Sequence, residues 1–212
     1  MKRLVLILLM FSLIILCNQT SYGYADFEKF EKVGQGKLLS EFTKDDYNEL
    51  YKHVSKRKFI GWNAYNAYVD IKVKYISETL FSYYNNGTSN ISYNYKASKK
   101  TIDNYTLKVT GDIKLKTQKN NKVFGDGLQT SINIDYKREI KYEETENFDI
   151  KVSIEPKTQL ILYLYGEGKI TTGVAKNYLF WIEINKGGYE IFIVTTHYQR
   201  LEIIPIWKSI FS

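Results

Sequence analysis

The chain has 212 residues, with 30 Lys and Arg against 23 Asp and Glu for a formal charge of +7, and a single cysteine, Cys17. One cysteine excludes a disulfide framework, so apolar burial alone must hold the core, which a chain of this length can supply. The basic excess points toward polyanions, and the N-terminus decides which of them come within reach.

Lys2 and Arg3 precede an apolar run from Leu4 to Leu16, and small residues follow at Ser21, Gly23 and Ala25. This is the pattern of a secretory signal, and the run is too short for a transmembrane helix, which takes about 20 apolar residues. Cleavage is expected after Ala25, with Gly23 as the neighbouring alternative, leaving residues 26–212 as one secreted β-rich domain. A lipoprotein anchor on Cys17 is disfavoured, because Leu16 stands where such signals carry a small residue. Cleavage removes Lys2 and Arg3 and no acid, so the mature chain has 187 residues, no cysteine and a charge of +5. Outside the cell the expected partners are anionic lipid or cell-surface glycan and polymer, not nucleic acid.

After a polar lead with Phe27 and Phe30 as apolar anchors, Gly34-Gln35-Gly36 reads as a turn. Thr43 with Asp46 three residues on predicts a capped helix, and Tyr47, Leu50, Tyr51 and Val54 give it one apolar face before Lys56-Arg57-Lys58. From Ala67 the period becomes two. Val69, Ile71, Val73 and Tyr75 alternate with polar residues, and Ile91, Tyr93 and Tyr95 do so after an Asn-Gly turn at Asn86.

Two matched arms come next. Leu107, Val109, Ile113 and Leu115 occupy odd positions, and Leu128, Ile132, Ile134 and Tyr136 occupy even ones, each set alternating with polar residues. Arms of nine residues, Leu107–Leu115 and Leu128–Tyr136, approach the roughly 9–11 that a tilted strand needs to span a bilayer. Arg138 shares the parity of the apolar set, so the second arm must end near Tyr136 to keep that charge at the headgroups. Lys116, Lys119, Lys122 and Arg138 are the candidate contacts to an anionic surface. The same alternation fits a hairpin lying on a soluble core.

Phe148 to Ile154 and Leu160 to Leu164 continue the period of two, and Glu167 between two glycines reads as a strand end. Tyr178–Ile184 and Tyr189–Val194 read as strands buried on both faces, joined by a turn at Asn185-Lys186-Gly187-Gly188. Catalysis has little to work with: His53 and His197 are the only histidines, and no motif spacing for a metal or nucleophile is present. Neither an enzyme nor a cofactor is expected.

Several of these segments resemble the aerolysin-like β-pore-forming proteins, in the branch of epsilon-toxin and mosquitocidal toxin. They are Tyr95–Thr117, the Gly125-Asp126-Gly127-Leu128 start of the return arm, and Phe148 to Thr158 with its Pro156-Lys157-Thr158 turn. The resemblance spans residues 67–175. It implies a mainly β fold, an elongated antiparallel sheet or sandwich with one short N-terminal helix, that oligomerises on a membrane and releases a hairpin into a β-barrel. Hairpins of that family are rich in Ser and Thr where this one is rich in Lys. The alternative on the same scaffold is a non-lytic extracellular binding or matrix protein.

Overall fold

The structure, a computed structural model, describes residues 27–101, 105–118, 121–125, 127–134 and 144–206. The segment read as a secretory signal, Lys119, Tyr136 and Arg138 lie outside them. The fold is mainly antiparallel β, as expected.

The front of the chain is short. β1 (Lys29–Lys32) pairs with the middle of a much longer strand, and Phe27 and Phe30 lay their rings against Tyr75 and Phe192. A single 3-10 turn (Leu39–Glu41) leads to α1 (Lys44–His53). Its N-terminus is a reciprocal capping box, with Asp46 N–H donating to Thr43 Oγ1 (3.2 Å) and Thr43 N–H donating to Asp46 Oδ2 (2.8 Å). A hydrogen bond from Lys37 Nζ holds the Asp46 carboxyl down at about 2.

The body is a five-stranded sheet in the order β1-β2-β8-β9-β4, in which β4 is Tyr105–Val109. Three of its strands are very long: β2 (Ile60–Asn85), β8 (Thr158–Leu179) and β9 (Ile182–Pro205), of 26, 22 and 24 residues. At roughly 3.3 Å per residue they run about 70–85 Å, which makes the body elongated. β8 lies between β2 and β9, and its side chains are buried along most of its length.

Glu167 lies in the middle of β8, opposite Thr196, and not at a strand end. Its flanking glycines mark close approach: a Cβ on Gly166 would stand 2.3 Å from the Tyr75 ring, and one on Gly168 2.3 Å from the Phe192 ring. The two rings therefore lie across the central strand and close the second core cluster, with Ile71, Val73 and Ile170. Burial pushes the Tyr75 hydroxyl up to about 12.

The C-terminal hairpin differs from its reading in sequence. β8 and β9 are joined by Phe180-Trp181, and Asn185–Gly188 lies inside β9, facing Asn177 to Val174. Leu179 to Ile182 and Ile184 are exposed, not buried on two faces.

β3 (Ile91–Thr101) and β7 (Glu144–Ile154) form a separate two-stranded ladder, paired one for one from Ile91↔Ile154 to Thr101↔Glu144. At the start of the ladder Tyr93 packs on the far end of β2, stacked on Phe81 (4.7 Å) and tilted against Tyr83 (5.2 Å). The chain turns out of β7 through Glu155–Lys157 into β8, which pairs with β2 and β9.

Candidate functional site

The segment between β3 and β7 returns along the body and docks on the other half of the five-stranded sheet. β4 (Tyr105–Val109) adds to the edge of β9 in the register Tyr105↔Ile193 to Val109↔Tyr189. Beyond it Thr110 N–H donates to Gly188 O (2.9 Å) and Asp112 N–H to Lys186 O (2.9 Å), while Asp112 Oδ2 accepts from Lys186 N–H (3.2 Å). β5 (Leu115–Gln118) and β6 (Asn121–Phe124) form a short hairpin that presents Lys116 and Lys122 to solvent. Gly127 in a left-handed conformation then starts α2 (Leu128–Ile132).

The expectation of two long strands pairing with each other is therefore corrected for this state. Residues 110–114 turn, and Leu128–Ile132 is helical. The physical reason lies in spacing: Leu128 and Ile132 are four apart, which puts them on one face of a strand and also on one face of a helical turn. Docked on a closed core, the helical solution satisfies its backbone locally, whereas a strand there would need a partner.

The residues picked out by alternation nevertheless converge. Leu107, Ile113, Leu128 and Ile132 are all buried in one cluster with Trp62, Phe124, Ala175, Tyr189 and Ile191, and Val109, Leu115 and Ile134 pack against it. Tyr136 is the one member of the set outside the described residues. These side chains roof the sheet, and no bilayer is needed to cover them in this state.

Three polar devices secure the roof. Lys108 Nζ lies 3.2 Å from the buried Glu190 Oε1, whose other oxygen accepts from Leu39 N–H (2.7 Å). Removing one partner of such a buried pair costs about 3–5 kcal/mol. α2 is tied to the start of β2: Ser131 Oγ donates to Trp62 O (2.5 Å), Asn66 Nδ2 to Ile132 O (3.1 Å), and Lys58 Nζ to Ser131 Oγ (3.0 Å). Tyr189 donates its hydroxyl to Asn66 Oδ1, and burial raises that hydroxyl above the ordinary tyrosine range.

The Gly187-Gly188 pair, read in sequence as a turn, is the seat of this segment. A Cβ on Gly187 would stand 2.1 Å from Thr110 O, a backbone atom, and Gly111 answers it from the other side with φ +68, where a Cβ would stand 2.6 Å from Lys186 O. Gly187→Ala should therefore lift residues 110–112 from β9 at a cost of about 1–3 kcal/mol. Hydrogen exchange checks this: the amides of Thr110 and Asp112 should lose protection while those of β8 keep theirs.

The histidines are far apart in the fold. His53 stacks on Tyr65 (4.8 Å) from α1, and His197 lies on β9 edge-on to Tyr75. Among the described residues no three His, Cys, Asp or Glu side chains converge as a metal site.

No protein-family model matches the chain, and no curated protein matches it in sequence. Among solved structures it is similar to an aerolysin-like protein of Bombina maxima, with 13% identity over 68% of this chain and 99% of that one and a TM-score of 0.26. It is also similar to the lamprey immune protein, at 10% identity over 84% of this chain and a TM-score of 0.24, and spans about half (52%) of that protein's length. A third is the parasporin-2 toxin of Bacillus thuringiensis, at 6% identity over 84% of this chain and all (100%) of that one, with a TM-score of 0.25. These neighbours are aerolysin-like proteins and related β-pore-forming toxins, the class that the sequence resembles. At such overlap they carry no argument about activity, which rests on the geometry of this chain.

Proposed function

We propose that this chain is a secreted, surface-binding β-protein that stores the described residues of 105–134 on its body and, on a target membrane, straightens the segment between β3 and β7 into a bilayer-spanning hairpin. One observation carries the proposal. Continuing the β3–β7 ladder in its own one-for-one register past Thr101↔Glu144 sets Val109 opposite Tyr136, Gly111 opposite Ile134, Ile113 opposite Ile132, and Thr117 opposite Leu128. Every apolar position of the first arm then shares a face with every apolar position of the second. A slip of one residue would put them on opposite faces.

The other face collects Lys108, Thr110, Asp112, Lys114 and Lys116 with Lys137, Asp135, Asn133, Ser131 and Gln129, a set suited to a watery lumen. This register differs by two residues from the one that opposes the ends of the two nine-residue arms, and a shift of two preserves the face. Arg138 falls opposite Leu107, at the mouth next to the body, where a cation reaches headgroups at little cost.

The energetics fit exchange between two covers. Leu107, Ile113, Leu128 and Ile132 leave one apolar environment for another, so the apolar contribution nearly cancels. The lost β4–β9 bonds and the Lys108–Glu190 pair must be offset by the longer ladder. A lone hairpin has two open edges that lipid cannot satisfy, so the inserted state requires several copies closed into a barrel.

The second reading, a non-lytic extracellular binding protein on the same scaffold, is favoured by how fully the docked segment is satisfied, above all by the buried Lys108–Glu190 pair. Release of a dye trapped in liposomes separates the two. The proposal requires permeabilisation, with or without proteolytic treatment, and a chain that permeabilises no bilayer overturns it.

A further inference from the structure

The end of the long hairpin carries a different kind of site. Phe180 and Trp181 form the whole connection between β8 and β9, and both are left-handed, with φ of 49 and 62. A two-residue hairpin of this kind favours Asn-Gly, and a bulky side chain in that region is a genuine outlier. The chain therefore accepts a penalty at both positions to hold two large aromatic rings at its extremity.

The rings are not alone. Phe59 packs edge-on to Phe180 (5.1 Å) and Trp181 (4.8 Å), and Ile60, Leu179 and Ile182 complete the cap. Ile60 and Ile182 are each 67% exposed, Phe180 60% and Trp181 55%. These side chains form an exposed apolar cap at the end of the hairpin. Lys56, Arg57 and Lys58 stand exposed directly before Phe59. The one acid close by in sequence, Glu183, is engaged by Lys176 (3.0 Å) and Lys186 (3.5 Å).

We infer that the Phe59–Phe180–Trp181 cap is an anchor that dips into the headgroup and upper acyl region of an anionic bilayer, with Lys56, Arg57 and Lys58 on the lipid phosphates. Aromatic and branched aliphatic side chains partition to that depth, and cations beside them supply the long-range attraction. Exposed aromatic rings with cations beside them, and the one neighbouring acid already paired, favour an anionic bilayer. The anchor is distinct from the stored segment, none of whose apolar side chains belongs to the cap. The two meet on residues 58–66, at and just before the start of β2, because Phe59 and Ile60 sit in the cap while Lys58, Trp62 and Asn66 hold α2. The inference deepens the proposed function by naming the surface that docks first, and it stands if insertion itself fails.

The test is co-sedimentation of the secreted chain with vesicles of phosphatidylcholine alone or with phosphatidylserine, beside the double variant Phe180→Asn/Trp181→Gly. That variant supplies the residues the turn favours, so its thermal midpoint should hold or rise, which separates lost binding from lost folding. The parent should bind phosphatidylserine vesicles more tightly than phosphatidylcholine ones, and the double variant should bind them roughly a hundredfold more weakly. Trp181 fluorescence should shift to the blue on binding. Vesicles that are bound without dye release leave the anchor standing and sink insertion. A parent that binds neither vesicle, or a double variant that binds as the parent does, overturns the anchor.

Discussion

Ile134→Lys should abolish liposome permeabilisation, whereas Asn133→Lys, one residue away, should leave it close to that of the parent. In the stored state both positions lie just past α2; Asn133 is exposed and Ile134 half-buried at the margin of the core cluster. A lysine stem can lie along the surface at either place, so both variants should fold. Asn133 is left-handed, so the cost of replacing it, about 1 kcal/mol, falls on the variant expected to stay active.

The proposed membrane state reverses the order. In the register continued from β3–β7, residue 134 faces lipid opposite Gly111, near the middle of the span, and residue 133 faces the lumen opposite Asp112. A lipid-facing lysine at mid-depth costs about 2–4 kcal/mol, or roughly 30- to 700-fold in the insertion constant of each copy, and every copy in a barrel bears it. A lysine on the lumen face costs little. Dye release with thermal midpoints measured alongside reads this difference directly. Equal activity of the two variants, whether both intact or both dead, would remove the assignment of faces.

Much of this was legible in the sequence, for identifiable reasons. The cap of α1 was readable because Thr43 and Asp46 satisfy each other locally, with no tertiary partner needed. The strands were readable from a period of two, since each rests one face on a core. The grouping of Leu107, Ile113, Leu128 and Ile132 was readable because alternation marks side chains that must be covered together, whatever covers them.

What failed were inferences that need the third dimension. Spacing of four does not distinguish helix from strand at Leu128 and Ile132, and only the presence or absence of a pairing edge decides. Gly187-Gly188 signals close approach as well as a turn, and the approaching chain, Thr110–Asp112, is over 70 residues away. The true turn was hidden because Phe180-Trp181 is the opposite of turn chemistry. The one signal that could have found it was a run from Leu179 to Ile184 too apolar for a strand bordered by Lys176 and Lys186.

The most direct measurement locks the stored segment to the body. Tyr105 and Ile193 are opposed across β4 and β9, at a spacing of about 4.5–5.5 Å between Cα atoms in such ladders, which a disulfide spans. Cys17 is the only native cysteine, so Tyr105→Cys/Ile193→Cys, combined with Cys17→Ser if that residue is retained, introduces the sole pair. The oxidised protein should bind phosphatidylserine vesicles through its cap yet release no dye, and a reductant should restore release to the level of the reduced control. Equal dye release from the oxidised and reduced forms would contradict the claim that the segment docked through β4 must leave the body to cross the membrane.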